Sequence, residues 1–403
     1  MNEPKLRFPE FKDIWNNHKI EDMFDRVGTP VDLDDTLTYR EIGIRSHGKG
    51  IFHKDETTAS EIGNKRIFWV EPDCFVVNIV FAWERAVAKT TEAENGMIAS
   101  HRFPMYKPKK DIVDLDYITE YFITKRGQNV LILASPGGAG RNKTLGQKEF
   151  AKSVVKLPSL PEQQKIAEFL STIDIVIAKQ RETVSAWEER KKGVMQKLFS
   201  QEVRFKADDG SNFPEWEEKK LGEVFKISTE TNGDRYSKQE VLSVSDEYGV
   251  VNQIELQGRS FAGNDISKYK VVKTGQLIYT RSPLATKPFG IIKRVGEKIG
   301  IVSPLYIVND VRENNCSMFW YYNFDMPERT NNYLKPLVRM GAKHTMNISN
   351  EEWLSGKVLS PCLAEQQKIA DCLSSLDEVI EKQKATLAAW EELKKGLLQQ
   401  MFV

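Results

Sequence analysis

The chain has 403 residues, too many for one typical domain of about 150, so two or three separate cores are expected. Its 58 Lys and Arg nearly cancel its 57 Asp and Glu, leaving a formal charge of +1, so nothing chain-wide argues for nucleic acid or membrane and any polyanion site has to be a local patch. A hydrophobic content of 40% excludes general disorder, and the sequence has neither an apolar leader after Met1 nor an apolar run long enough to span a bilayer, which predicts a cytoplasmic chain with no membrane partner.

In chain order, Leu6-Arg7-Phe8 and the stretch Trp15 to Phe24 come first, followed by a segment of about 26 to 135 with short β-rich runs at Cys74–Asn78 and Asn129–Ala134. Pro161-Glu-Gln-Gln-Lys-Ile-Ala167 then opens a long periodic stretch. After it the plan starts again. Val203-Arg204-Phe205 and Trp216 to Phe225 echo the opening, a second segment of about 226 to 338 carries β-rich runs at Gln276–Thr280 and Gly300–Ser303, and Ala364-Glu-Gln-Gln-Lys-Ile-Ala370 opens a second periodic stretch. From 161 to 199 against 364 to 402 the match is ungapped at an offset of 203, with 23 of 39 positions identical. The two middles share almost nothing, so the order is variable, constant, variable, constant.

In the first constant stretch Ile166, Leu170, Ile173, Ile177, Gln180, Val184, Trp187, Lys191, Val194 and Leu198 alternate steps of four and three, the period of a coiled-coil seam, and Ile369 to Met401 repeats it. Each stretch predicts a helix of about 58 Å at 1.5 Å per residue. Antiparallel pairing in full overlap would place Gln180 and Gln383 in one layer, a polar pair that penalises slipped register. The alternative is that each helix packs on its own globular domain.

The four cysteines, at 74, 316, 362 and 372, form no C-x-x-C pair and no Cys/His spacing suited to zinc, so buried free thiols and no metal are expected. Pro136 to Asn142 lacks the spacing of a nucleotide loop, no Pro-Pro pair is present for a base-flipping methyltransferase motif, and the carboxylate-x-Lys string at Glu217 to Lys219 lies in Glu/Lys-rich sequence where such matches arise freely. No catalytic residue is assigned. The variable segments do interleave cations with Gly-rich or polar sequence, which suits loops that bring Arg, Lys, His and Asn to phosphates and base edges. The candidate DNA-binding residues are Arg45, His47, Lys49, Arg85, Lys89, His101, Arg102, Arg141, Asn142 and Lys143 in the first half, and Arg281, Lys287, Arg339, Lys343 and His344 in the second. Gly140 to Lys143 and Lys343-His344 stand out because they occupy equivalent places in the two halves.

The Glu-Gln-Gln-Lys-Ile-Ala openings at 162 and 365, the Trp-Glu-Glu and Lys-Lys-Gly elements after them, and the Leu-Arg-Phe-Pro-Glu-Phe start resemble the specificity (S) subunit of type I restriction-modification enzymes over the whole chain. The resemblance implies an α+β fold with two similar target recognition domains, at 1–157 and 201–360, separated by two long antiparallel coiled-coil helices, at 158–200 and 361–403, in a pseudo-twofold internal repeat. It also implies a non-catalytic chain that reads a bipartite, asymmetric site in double-stranded DNA. Two methyltransferase (M) subunits and restriction (R) subunits would be its partners, and S-adenosylmethionine, ATP and Mg would belong to them. The competing class is a scaffold that docks two copies of a partner without reading DNA.

Overall fold

The computed structural model describes residues 4–137, 143–340 and 346–402. The chain divides into two units, Met1–Glu182 with Lys384–Val403, and Thr183–Gln383. The boundary falls inside both long helices, Leu160–Phe199 and Leu363–Met401.

In the first unit, the strand Asn16–Lys19 pairs antiparallel with Val154–Leu157, so the start of the globule is tied to the residues just before the long helix. A four-stranded antiparallel sheet follows in the order Phe24–Val27, Met105–Pro108, Phe75–Val77, Val87–Lys89. The helices Leu115–Ile123 and Lys125–Leu133 lie after it, and Gln147–Lys152 leads back to the closing strand. Phe75 is fully buried among Phe122, Tyr106 and Phe150, whose ring centroids lie 5.0 to 6.5 Å away.

The second unit repeats this plan. Glu217–Lys220 pairs with Lys357–Ser360, and a four-stranded sheet runs Phe225–Ile227, Ile307–Val311, Leu277–Thr280, Ile291–Arg294. Helices Ser317–Asp325, Pro327–Leu334 and Asn350–Ser355 take the places of their counterparts. The two middles, nearly unrelated in sequence, therefore share a topology. They differ in what is added to it. The first unit carries a five-stranded sheet ordered Thr29–Pro30, Ile67–Trp69, Ile98–Ser100, Thr38–Ile44, Ile51–Thr58, whereas the second has separate ribbons at Leu242–Ser245 with Gly249–Asn252 and at Lys270–Val272 with Gly300–Val302.

The strands expected near 75, 277 and 300 are present, but Asn129–Ala134 is not a strand: it lies in the helix Lys125–Leu133 and the turn that ends it. A short apolar run suits either element. Here the Thr124 hydroxyl accepts from the Gly127 N–H at 3.2 Å and starts a helix that buries Leu131 while Leu133 is exposed. Of the four cysteines, all free, Cys74 is buried and the other three are only half-buried.

The seam residues do pair helix with helix, antiparallel, within each unit. In the first, Arg181 meets Glu391 at 2.6 Å and Lys394 meets Asp174 at 2.8 Å, while in the second Lys191 meets Asp377 at 2.6 Å. The stripe is nevertheless not a free-standing coiled coil. Ile166, Leu170, Ile173 and Ile177 share one core with Trp15, Tyr117 and Phe402, and Leu198, Phe199, Ile369 and Leu373 share another with Trp216 and Phe319. Each helix half thus packs on its globule and on the opposing helix at once. Phe402 lies 5.1 Å from Tyr117, and Phe199 lies 5.4 Å from Phe319. Gln180 and Gln383, expected to share a layer, are half-buried and fall in different units, at the boundary.

The repeated motif residues anchor these helices. Glu162 and Glu365 are 0% exposed, and each takes a fork from the arginine of the opening motif: Arg7 Nε and Nη2 at 2.7 and 2.8 Å, Arg204 Nε and Nη2 at 3.1 and 2.9 Å. Gln163 accepts from the Asp114 N–H and donates to the carbonyls of Ile112 and Pro158, each at 3.0 Å. Gln366 does the same with the Cys316 N–H at 2.8 Å and the Pro361 carbonyl at 3.0 Å. Two buried polar side chains thereby join helix start, chain start and globule in each unit with their hydrogen bonds satisfied.

Candidate nucleic-acid interface

Several of the sequence-derived cations converge on one segment of the first unit, residues 78–86. The turn between strands Thr38–Ile44 and Ile51–Thr58 is held onto it, since the His47 N–H donates to the Glu84 carbonyl at 2.7 Å, the Gly48 N–H to the Arg85 carbonyl at 2.9 Å, and the Ser46 hydroxyl to Glu84 at 2.8 Å. His47 and Gly48 adopt left-handed φ values of 64° and 67°, and a Cβ on Gly48 would press into Ile123 at 2.8 Å. This geometry exposes Arg45, His47 and Lys49 on a rigid turn, with the Arg45 guanidinium 4.7 Å above the Phe52 ring.

Arg85 lies beneath that turn and donates from Nη1 to the Ile123 carbonyl at 3.1 Å. Lys143 sits 5.9 Å from the Trp83 ring centre, and the Ile79 N–H donates to the Arg102 carbonyl at 3.0 Å, so His101 and Arg102, both exposed, border the same segment. Lys89 is different: its ammonium is engaged by Asp116. Arg141 and Asn142 lie outside the described residues.

In the second unit the corresponding segment begins at Arg281. Its Nη2 donates to the Ile348 carbonyl at 2.9 Å, which places it beside the ribbon Arg339–Met340 with Met346–Asn347. In the first unit the Leu145 N–H donates to the Ile79 carbonyl at 2.8 Å, so both units bring the same two segments together. Arg339 is exposed and paired with Glu352 at 2.6 Å. Lys343 and His344 lie outside the described residues.

Lys287 is placed where it cannot present its charge to a ligand. It is 3% exposed, with its ammonium 2.7 Å from Asp246, and Lys293 beside it meets Asp325 at 2.6 Å. Burial opposes the Lys293 charge, but attraction to Asp325 and Asp246 outweighs it and raises its pKa, while Asp246, despite its own burial, is held below the ordinary carboxylate range by Lys287 and Lys293. The four charges fasten the loop 281–290 to the hairpin turn at 246–248. The Leu284 N–H and Lys287 N–H also exchange bonds with each other's carbonyls at 3.1 Å. Lys287 is therefore a residue that positions its loop, and Tyr248 and Leu284, 58% and 40% exposed, are left at the surface of the two tethered elements.

Among the described residues no group of three or more His, Cys, Asp or Glu could hold a metal ion, and no helix is long and apolar enough to cross a membrane. The surface chemistry on offer is recognition: cations and hydrogen-bonding groups on short loops, each fixed by backbone bonds to a sheet. Two such reading modules of one topology, each built onto half of a pair of long antiparallel helices, define a class of non-catalytic DNA-specificity proteins.

The comparisons agree. The family of type I restriction-modification DNA specificity domains matches residues 73–184 and 214–389, and the chain belongs to it. A type I restriction enzyme specificity subunit (MjaVIII) of Methanocaldococcus jannaschii is 26% identical over 351 residues, 84% of this chain and 80% of that protein. Among solved structures, the type I restriction-modification S subunit from M. genitalium is similar in fold, with a TM-score of 0.56 at 13% identity, covering 100% of this chain and 99% of that one. A chain from a structure of type I R-M complex assembly and conformational transition has a TM-score of 0.55 at 15% identity, covering 98% and 99%.

Sequence reasoning offered Lys287 as a candidate DNA contact because no local signal marks its partner Asp246, 41 residues away.

Proposed function

We propose that this DNA-specificity subunit reads a bipartite, asymmetric duplex sequence, one half with the loops around 45–50, 78–86 and 101–102, the other with those around 246–248 and 281–286 and the ribbon of Arg339–Met340 with Met346–Asn347. The observation that carries this is the shared assembly of the two units: the same two segments are joined in each, by the Leu145 N–H on the Ile79 carbonyl in one and by the Arg281 side chain on the Ile348 carbonyl in the other, and different loops are built onto them. Equal scaffolds address two half-sites, and unlike loops read unlike bases. The long helices set the gap between half-sites, and Gln180 and Gln383 disfavour slipped register. Two M subunits dock on the repeated helices and bring S-adenosylmethionine, and R subunits bring ATP and Mg, in the cytoplasm. The test is binding of the chain with its methyltransferase subunit to duplexes over 50 to 200 mM salt. Phosphate contact requires log K to fall with log salt by about 0.9 per contact, and a flat response would refute DNA reading.

A further inference from the structure

The first unit contains an open cavity of about 1160 Å³ between the start of the helix Lys125–Leu133 and the two long-helix segments. That exceeds the roughly 300–1,000 Å³ of small-molecule pockets and suits a length of polypeptide. Its apolar lining comes from Ile123, Ile177, Leu398 and Phe402.

The charge around that lining is unbalanced in a specific way. Arg181 and Lys394 are already matched by Glu391 and Asp174. Lys125 and Arg126 also line the cavity and make no ion pair among the described residues. They occupy the first turn of a nine-residue helix with no acid there, the end where the helix dipole favours anions and opposes cations. Arg85 adds a buried Nε with no hydrogen-bond partner in the same wall. Three cationic groups without a counter-charge, set against local preference beside an apolar lining, describe a site lacking its anion.

The second unit closes the same place. Its corresponding helix, Pro327–Leu334, has Glu328 in the first turn, as the dipole prefers. Arg329 lies 5.3 Å from the Phe199 ring and donates from Nη1 to the Phe199 carbonyl at 3.1 Å and from Nε to Asn323 at 2.7 Å. Gly127 stands at the matching position of the first unit, where a Cβ would meet the Tyr121 carbonyl at 2.2 Å, so no such side chain fits there.

We infer that the first-unit groove binds an acidic, apolar-tipped polypeptide segment of a partner protein, one per chain, carboxylates on Lys125, Arg126 and Arg85 and an aliphatic or aromatic side chain on the Ile123–Phe402 lining. A DNA backbone would match the charge but has nothing to bury on that lining. Identifying the partner as a methyltransferase subunit rests on the proposed function; the groove and its chemistry do not.

The test is a photo-crosslinking amino acid placed at Lys125, and separately at Glu328, in the full chain co-purified with its methyltransferase subunit and without DNA, so that failure of DNA reading does not affect the outcome. Crosslinks from position 125 to one acidic segment of that subunit, at one per chain, with none from position 328, are expected. Crosslinks from neither position, or equally from both, would overturn the inference, as would capture of added duplex in place of the protein. Independently, K125E/R126E should weaken methyltransferase-subunit binding at least tenfold while its unfolding temperature stays level or rises, because acids suit that helix end. Unchanged binding refutes the proposal, and if the reversal lowers the unfolding temperature, K125Q/R126Q serves the same comparison.

Discussion

The buried fork between Arg204 and Glu365 makes an asymmetric prediction. Glu365 is wholly buried and accepts from Arg204 at 2.9 and 3.1 Å and from Trp216 Nε1 at 3.2 Å, whereas Arg204 keeps 20% of its side chain exposed and has further acceptors in Glu215 at 3.1 Å and the Pro214 carbonyl at 2.5 Å. Arg204→Met leaves an ionised carboxylate inside the protein with one indole N–H, a change that costs about 3–5 kcal/mol in buried pairs. Glu365→Gln leaves an arginine that still reaches water, Glu215 and backbone oxygens, so its cost is that of a lost charged hydrogen bond, about 1.5–3 kcal/mol. At about 2–4 °C per kcal/mol for a unit of this size, Arg204→Met should lower the unfolding temperature of its transition by about 6–20 °C and Glu365→Gln by clearly less. Calorimetry of the two variants decides it. Equal shifts, or the larger shift in Glu365→Gln, would refute the reasoning that the buried carboxylate, not the arginine, depends on the pair.

Burial holds the Glu120 carboxyl above its ordinary range, with Lys394 offsetting only part of the effect, and one of its oxygens has no partner. An acid whose folded pKa is raised costs stability where both states are ionised, and the cost vanishes as pH falls below the unfolded value of about 4.3. Glu120→Gln should therefore raise the unfolding temperature at pH 7 and lose that advantage at pH 3.5; a penalty at pH 7 would contradict this. Replacing Arg45 and Lys49 together by alanine should reduce the salt slope of DNA binding by about two with the unfolding temperature unchanged, and an unaltered slope would remove that turn from the interface. Deleting one heptad from each long helix, about 10.5 Å at 1.5 Å per residue, should shorten the gap between recognised half-sites by about 3 base pairs or abolish recognition, while an unchanged gap would reject the spacer role.

The constant segments were legible because long helices that bury one stripe leave a period in the sequence, and the repeat doubled that signal. Lys191 and Lys394 showed up as odd seam members, but their partners Asp377 and Asp174 did not, since an ion pair across antiparallel helices joins residues 186 and 220 positions apart. The Glu-Gln-Gln motif was visible as a signature and silent about its work: Glu162 binds an arginine 155 residues upstream. The common topology of the variable segments was hidden because sheet register tolerates almost any apolar side chain, Phe75 in one unit and Leu277 in the other. Loop cations were recognised by type alone. Type alone does not tell Arg45, His47 and Lys49, which a left-handed turn exposes, from Lys287, which two distant aspartates hold inside.

Sequencing-based mapping of methylated bases in cells carrying this chain and its methyltransferase subunit, repeated after residues 26–135 are exchanged for those of another family member, tests DNA reading most directly. A motif of two unlike half-sites with a constant gap is expected, and the exchange should replace one half-site and leave the other and the gap intact. A palindrome, a motif that changes in both halves, or no motif at all would contradict it.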